Sequence, residues 1–169
     1  SSGDKAVTSM TATSIDGYLQ NALVWLDVNG DGLPDTTNEP NARTGTDGKA
    51  TLDVSAVTNP GQYRLLVKAI ANETVDLERG TVTRDYTMSA PAGVSVVTPL
   101  STLVDLKMQQ DPSLTRAAAT SAVASDLGVD NVGLLGDFIA SNQTTLQVYA
   151  VNLTDTLPET LPDDPTALI

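Results

Sequence analysis

Near Thr98 the chain changes its periodicity, and that change constrains its fold more than any other feature. Upstream, short runs rich in Val, Thr and Leu are broken by Gly, Asn, Asp and Pro, the pattern of strands separated by turns. It predicts strands over Ala6–Thr13, Asn21–Val28, Ala50–Val54, Tyr63–Ile70, Arg84–Ser89 and Val94–Val97. Thr46-Asp47-Gly48-Lys49 reads as a tight turn between extended runs, because Asp-Gly accepts positive φ. Asn59-Pro60-Gly61 is a second turn signal. Roughly six or seven short strands with spaced turns predict a β-sandwich of Ig-like or prealbumin-like type over residues 1–98.

Downstream, helical signals replace the alternation. Thr98-Pro99 offers an N-cap followed by Pro at the first helical position, and Leu100, Leu103, Val104 and Met108 share one helical face. Asp111-Pro112 repeats that start signal ahead of the Ala-rich Arg116–Leu127, which ends at Gly128, a natural C′ residue. The helical reading continues through Asn131–Ala140, with Val132, Leu134, Leu135, Phe138 and Ile139 apolar, and again over Thr144–Leu153. These helices are too short and too rich in Ala and Ser to stand alone, so residues 99–155 are expected to pack on the β module or on a neighbour. The Pro- and acid-rich stretch 156–169 reads as a linker. The expected class is therefore mainly β with a small C-terminal helical segment.

Composition removes several function classes. The formal charge is −12, from 21 acidic against 9 basic residues, and a polyanion such as nucleic acid needs a basic face. The chain has no His and no Cys. That eliminates a Ser-His-Asp triad, a thiolate nucleophile, zinc–thiolate sites and a disulfide framework. No run approaches the roughly 18 apolar residues of a membrane span. Ser1-Ser2-Gly3 reads as a trimmed or appended start, which leaves room for a leader upstream. Aromatics make up only 4%. Trp25, alone in a strand, reads as core rather than as half of a sugar-stacking platform with Tyr18.

What remains with chemical character is Asp27-Val28-Asn29-Gly30-Asp31-Gly32-Leu33-Pro34-Asp35, continuing through Asn38 and Glu39 to Pro40. Oxygen-bearing side chains fall on alternate positions, and a hard cation needs six to eight oxygens from a short segment. Set against an EF-hand loop, Asp27, Asn29 and Asp31 take the first, third and fifth positions, and Gly32 the sixth, where the chain turns sharply. Leu33 would ligate through its carbonyl at the seventh and Asp35 would take the ninth. Asn38 occupies the twelfth, and the glutamate arrives one residue late as Glu39. The flanks are strand-like rather than helical, so the loop would bridge two strands. Calcium is the expected ion, because magnesium favours stricter octahedral sites that retain water.

The stretch Asp16-Gly17-Tyr18-Leu19-Gln20-Asn21-Ala22-Leu23-Val24-Trp25-Leu26-Asp27-Val28-Asn29-Gly30-Asp31-Gly32 resembles the opening of bacterial extracellular modules of the SdrD B-like, Cna B-type and carboxypeptidase-regulatory-like group. Thr44-Gly45-Thr46-Asp47-Gly48-Lys49-Ala50-Thr51-Leu52 is similar to the strand start that follows in those families. Ala90-Pro91 through Val97-Thr98-Pro99-Leu100-Ser101-Thr102-Leu103-Val104, and then Leu135-Gly136-Asp137, resemble a helical segment found after such modules. The likeness runs over about residues 12–140 and is strongest over Asp16–Leu52. It departs at Asp35-Thr36-Thr37-Asn38-Glu39-Pro40, one residue longer than the family's D-x-G-E-P.

The resemblance implies a secreted or surface-exposed bacterial module, lipid-anchored through a removed leader in some arrangements, whose Asp-rich loop binds calcium. Neighbouring modules of the same polypeptide are the implied partners. Cna B-type domains can also carry a Lys–Asn or Lys–Asp isopeptide with a Glu catalyst. Here Lys68, in the strand Arg64–Ile70 with Glu73 and Glu78 following, is read as a solvated strand residue instead. The expected function is a non-enzymatic, calcium-stabilised structural module. The alternative is an adhesin or carbohydrate-binding module, accessory to a surface hydrolase, with a glycan or host-surface ligand.

Overall fold

The computed structural model describes residues 6–162 and Leu168. Ser1-Ser2-Gly3 and most of the end of the 156–169 stretch lie outside those residues. The described chain is mixed, with three β-sheets and three α-helices. β1 (Ser9–Ser14) pairs antiparallel with β5 (Lys49–Asp53) and parallel with the short β10 (Val96–Val97). β2 (Leu19–Gln20), β7 (Val75–Asp76) and β8 (Gly80–Thr81) make a small antiparallel sheet. The four-stranded sheet runs β4 (Asn41–Arg43), β3 (Leu23–Leu26), β6 (Leu65–Ala69), β9 (Tyr86–Ala90).

Side-chain alternation explains the outer strands. In β5, Ala50 and Leu52 are buried while Lys49, Thr51 and Asp53 are exposed, the period of a strand with one wet face. β3 and β9 are buried at every position. In β3, Val24 and Leu26 join the main core, and Leu23 and Trp25 form a second cluster with Leu66 of β6. Trp25 is thus core, as its isolation in a strand implies.

β4 and the β2–β7–β8 sheet have no counterpart among the expected strands. Asn41-Ala42-Arg43, Leu19-Gln20 and Gly80-Thr81 are too short and too polar for alternation to mark them. They are strands only because a partner is opposite: Val24 faces Ala42, Leu19 faces Asp76 and Asp76 faces Gly80.

One core spans the Thr98 transition. Ala12, Leu52 and Val97 from the first sheet, Val24, Val67 and Met88 from the four-stranded sheet, and Leu100, Leu103 and Val104 of helix α1 (Pro99–Gln110) share it. Thr98 caps α1 as expected: its hydroxyl accepts the Leu100 and Ser101 N–H groups, and Ser101 returns a bond to the Thr98 N–H. The polar side of α1 closes the free edge of β9. The Ser89 N–H donates to Thr102 Oγ1 at 2.9 Å, and the Ser101 hydroxyl donates to the Ser89 carbonyl at 2.7 Å. With the Ser89 backbone groups satisfied by α1, that part of the edge offers no template for another chain.

Helix α2 spans Arg116–Leu127 with Thr115 as its N-cap and Gly128 at φ 70° as its C-cap. The start signal at Asp111-Pro112 makes a turn instead, with the Ser113 N–H on the Asp111 side chain and the Leu114 N–H on its carbonyl. Asn131–Ala140 is not a helix. Gly133 sits at φ 75°, and the Asp137 carboxylate captures the N–H groups of Ile139 and Ala140. Local side-chain acceptors thereby displace helical hydrogen bonding. The apolar spacing was genuine, since Leu134 and Phe138 are buried, but turns deliver them.

Helix α3 (Thr144–Thr154) follows. Beyond it, the described part of the expected linker lies along β9. The Thr87 N–H donates to the Pro158 carbonyl at 2.9 Å, Lys68 pairs with Glu159 at 3.3 Å, and Leu157 is buried.

Candidate metal centre

The β3–β4 connection, from Asp27 to Pro40, is pinned at its base by the sheet. The Leu26 N–H donates to the Pro40 carbonyl and the Asp27 N–H to the Arg64 carbonyl, both at 3.0 Å. Between these anchors, carboxylate oxygens of Asp27, Asp31 and Glu39 lie within 4.8 Å of one another. Asp27 and Glu39 are buried, and Asp31 is exposed at the mouth.

Each member is oriented by the loop backbone. Asp27 accepts the Gly32 N–H at 3.1 Å on Oδ2, across the turn made by Gly30 and Gly32 at φ 76° and 70°. Asp31 Oδ1 accepts the Leu33 N–H at 2.9 Å. Glu39 reaches back over the loop, accepting from Asp35 N on Oε1 at 3.1 Å and from Asn29 N on Oε2 at 3.3 Å. Burial pushes the Glu39 carboxyl above its ordinary range; those two N–H groups oppose the shift, and the neighbouring Asp27 charge adds to it.

The remaining expected ligands sit differently. Asn29 Oδ1 accepts the Asp31 N–H at 3.1 Å, and Leu33 is half exposed. Asp35 closes its own turn: Oδ1 takes the N–H groups of Thr37 and Asn38, and Oδ2 takes the Asn38 amide at 2.9 Å. The Asn38 amide holds the Asp35 carboxyl below its usual range. The extra residue in Asp35–Pro40 is absorbed in this turn. It swings Glu39, rather than Asn38 or Asp35, onto Asp27 and Asp31.

One neighbour of the site carried no signal in the sequence. Arg64, immediately before β6 and far along the chain, places Nε 3.3 Å from Asp27 Oδ2 and Nη1 2.8 Å from Asp105 Oδ2 on α1. No spacing rule links positions 27, 64 and 105. A cavity of about 320 Å³ opens beside the guanidinium, lined by Asp27, Tyr63, Arg64, Asp105 and Met108 among others.

Other singled-out residues have structural surroundings. The Tyr18 hydroxyl donates to Asp137 at 2.6 Å, and burial together with that carboxylate pushes its pKa up to about 12. Tyr18 and the Leu135-Gly136-Asp137 segment therefore brace each other, and Trp25 is too buried to form a platform with Tyr18. Lys68 pairs with Asp85 at 3.8 Å and Glu159 at 3.3 Å. No helix among the described residues is long and apolar enough to cross a membrane. Comparison with family models, with curated proteins and with solved structures returns no match to this chain.

Proposed function

We propose that the chain is a calcium-stabilised, non-enzymatic β-sandwich module of a larger bacterial protein that is secreted or displayed at the cell surface. The observation that supports it is the convergence of Asp27, Asp31 and Glu39 carboxylate oxygens within 4.8 Å on one loop. Oxygens on opposite sides of a calcium ion stand about 4.8 Å apart, twice a Ca–O distance of about 2.4 Å. Three carboxylates supply up to six oxygens without any second chain, and the Asn29 side chain and Leu33 carbonyl are close in sequence to complete the shell.

The sandwich reading is supported by the shared core of the first sheet and the four-stranded sheet. The extracellular reading rests on the sequence resemblance over Asp16–Leu52. In this role the ion is structural. Three acids in one loop repel one another, and a divalent cation removes that repulsion while cross-linking both ends of the loop. Binding free energy then becomes folding free energy. Thermal unfolding in EDTA and again with excess calcium tests the proposal: the midpoint should rise with calcium, and an unchanged midpoint overturns it. Magnesium at equal concentration should give a smaller rise.

A further inference from the structure

We propose that Arg64 and Asp105, neither of them a ligand, set how tightly the β3–β4 loop holds a divalent cation. The inference rests on the cation reading of that loop and deepens it. Arg64 is nearly enclosed, with 16% of its side chain exposed, and lies between two carboxylates that are both at 0%. Its contact with Asp105 is the shorter, at 2.8 Å against 3.3 Å to Asp27. Asp105 is itself held by the Ser89 hydroxyl at 2.6 Å on the same oxygen, which fixes the acceptor on α1.

A guanidinium never loses its charge, so an ion entering the cluster must share Asp27 with a resident cation. The repulsion between them is strong at such distances in a partly buried site. Asp105 relieves it by balancing the guanidinium from the far side, and the adjoining cavity gives Arg64 room to withdraw toward α1. Asp105 thus draws off the competitor, and Arg64 is the competitor. The two residues act on cation affinity with opposite signs, and Asp105 acts only through Arg64.

The test is calorimetric titration of the whole chain with calcium chloride alone, comparing wild type, Asp105→Asn, Arg64→Met and the double variant. Asp105→Asn should bind calcium about tenfold more weakly and Arg64→Met about tenfold more tightly, by charge repulsion at an intermediate dielectric. In the double variant the Asp105→Asn effect should vanish, leaving affinity close to that of Arg64→Met. The double variant removes the buried Asp105 charge that Arg64→Met alone would leave unpaired, so it remains informative should Arg64→Met fold poorly.

Urea unfolding in EDTA supplies a metal-free readout. Arg64→Met should destabilise the protein, and adding Asp105→Asn should recover much of the loss. Weaker binding in both single variants, a full-sized Asp105→Asn effect without Arg64, or additive losses in EDTA each overturn the inference. Wild type that binds no calcium overturns the cation reading and this inference together, whereas wild type that binds without the opposite signs overturns this inference alone.

Discussion

Glu39 reaches ten residues back to Asn29, accepting its N–H on Oε2 at 3.3 Å, and so brings its buried carboxylate over the Asp27 and Asp31 side chains. Asn38, which stands at the conventional closing position of such a loop, spends its amide on Asp35. Glu39→Gln should therefore weaken calcium binding by at least about tenfold, as loss of a charged ligand implies. Asn38→Ala should leave calcium affinity within about threefold. Calcium titrations of the two variants decide it, and the reverse ranking would place the last ligand at Asn38.

Glu39 also fixes the sign of a pH effect in metal-free protein. Its carboxyl lies above the ordinary 4.5 in the folded state, so folded protein keeps the proton that unfolded chain releases. Stability in EDTA should fall as pH rises through that interval, and calcium should remove the decline by favouring the carboxylate. Denaturant midpoints across that range, with and without calcium, give the measurement.

A second buried acid acts in the same direction over a wider window. Asp16 accepts the Tyr86 hydroxyl at 2.7 Å, Arg79 at 3.4 Å and the Thr154 hydroxyl, with Asp76 nearby. Burial nevertheless pushes its carboxyl from 3.8 to about 7. Below 3.8 both states hold the proton. Between there and about 7 only the folded state does, so stability should fall with rising pH at up to about 1.4 kcal/mol per unit. Asp16→Asn should flatten that slope, and an unchanged slope would show that Asp16 ionises normally.

The Gly48 position tests the turn before β5. Its φ is +75°, and a Cβ there would stand 2.9 Å from the Ser14 carbonyl and 3.1 Å from the Tyr18 ring. Gly48→Ala should cost about 2 kcal/mol or more, from left-handed strain plus the clash. Gly30→Ala, at φ +76° with nothing within 4 Å, should cost about 1 kcal/mol, the strain alone. Equal losses in urea melts would remove the steric part of the argument.

Arg84 fastens the end of α3 to β9. Its guanidinium donates to the Thr154 and Leu157 carbonyls and lies over the Tyr86 ring, 5.4 Å from the centroid. Arg84→Ala should destabilise by about 1.5–3 kcal/mol, the range for hydrogen bonds involving a charged group. It should also speed amide exchange at Thr87, whose N–H is bonded to Pro158. Protection at Thr87 that survives the substitution would show that residues 157–159 dock without Arg84.

Strand β5, α1 and α2 were legible because each carries a local rule: alternation in β5, a Thr-Pro cap on α1, a C-terminal Gly on α2. Asn131–Ala140 forms turns although its apolar spacing is helical, because Gly133 and Asp137 select them, a competition that periodicity does not register. The loop's candidate acids were legible from spacing alone. Their convergence was not, because Asp35 and Glu39 are both acids near the end of the loop and only the folded turn assigns one to Asn38 and the other to Asp27.

The sequence by itself determined the strand-then-helix order and a loop dense in oxygen donors, since both follow from residues near one another in the chain. Only tertiary structure decided that Glu39 faces Asp27 and Asp31, that Arg64 and Asp105 stand behind them, and that Asp16 is buried against Tyr86 and Thr154. Those pairings join positions up to 138 residues apart. Their energies depend on burial and on charge–charge distance, quantities that come into being only when the core closes.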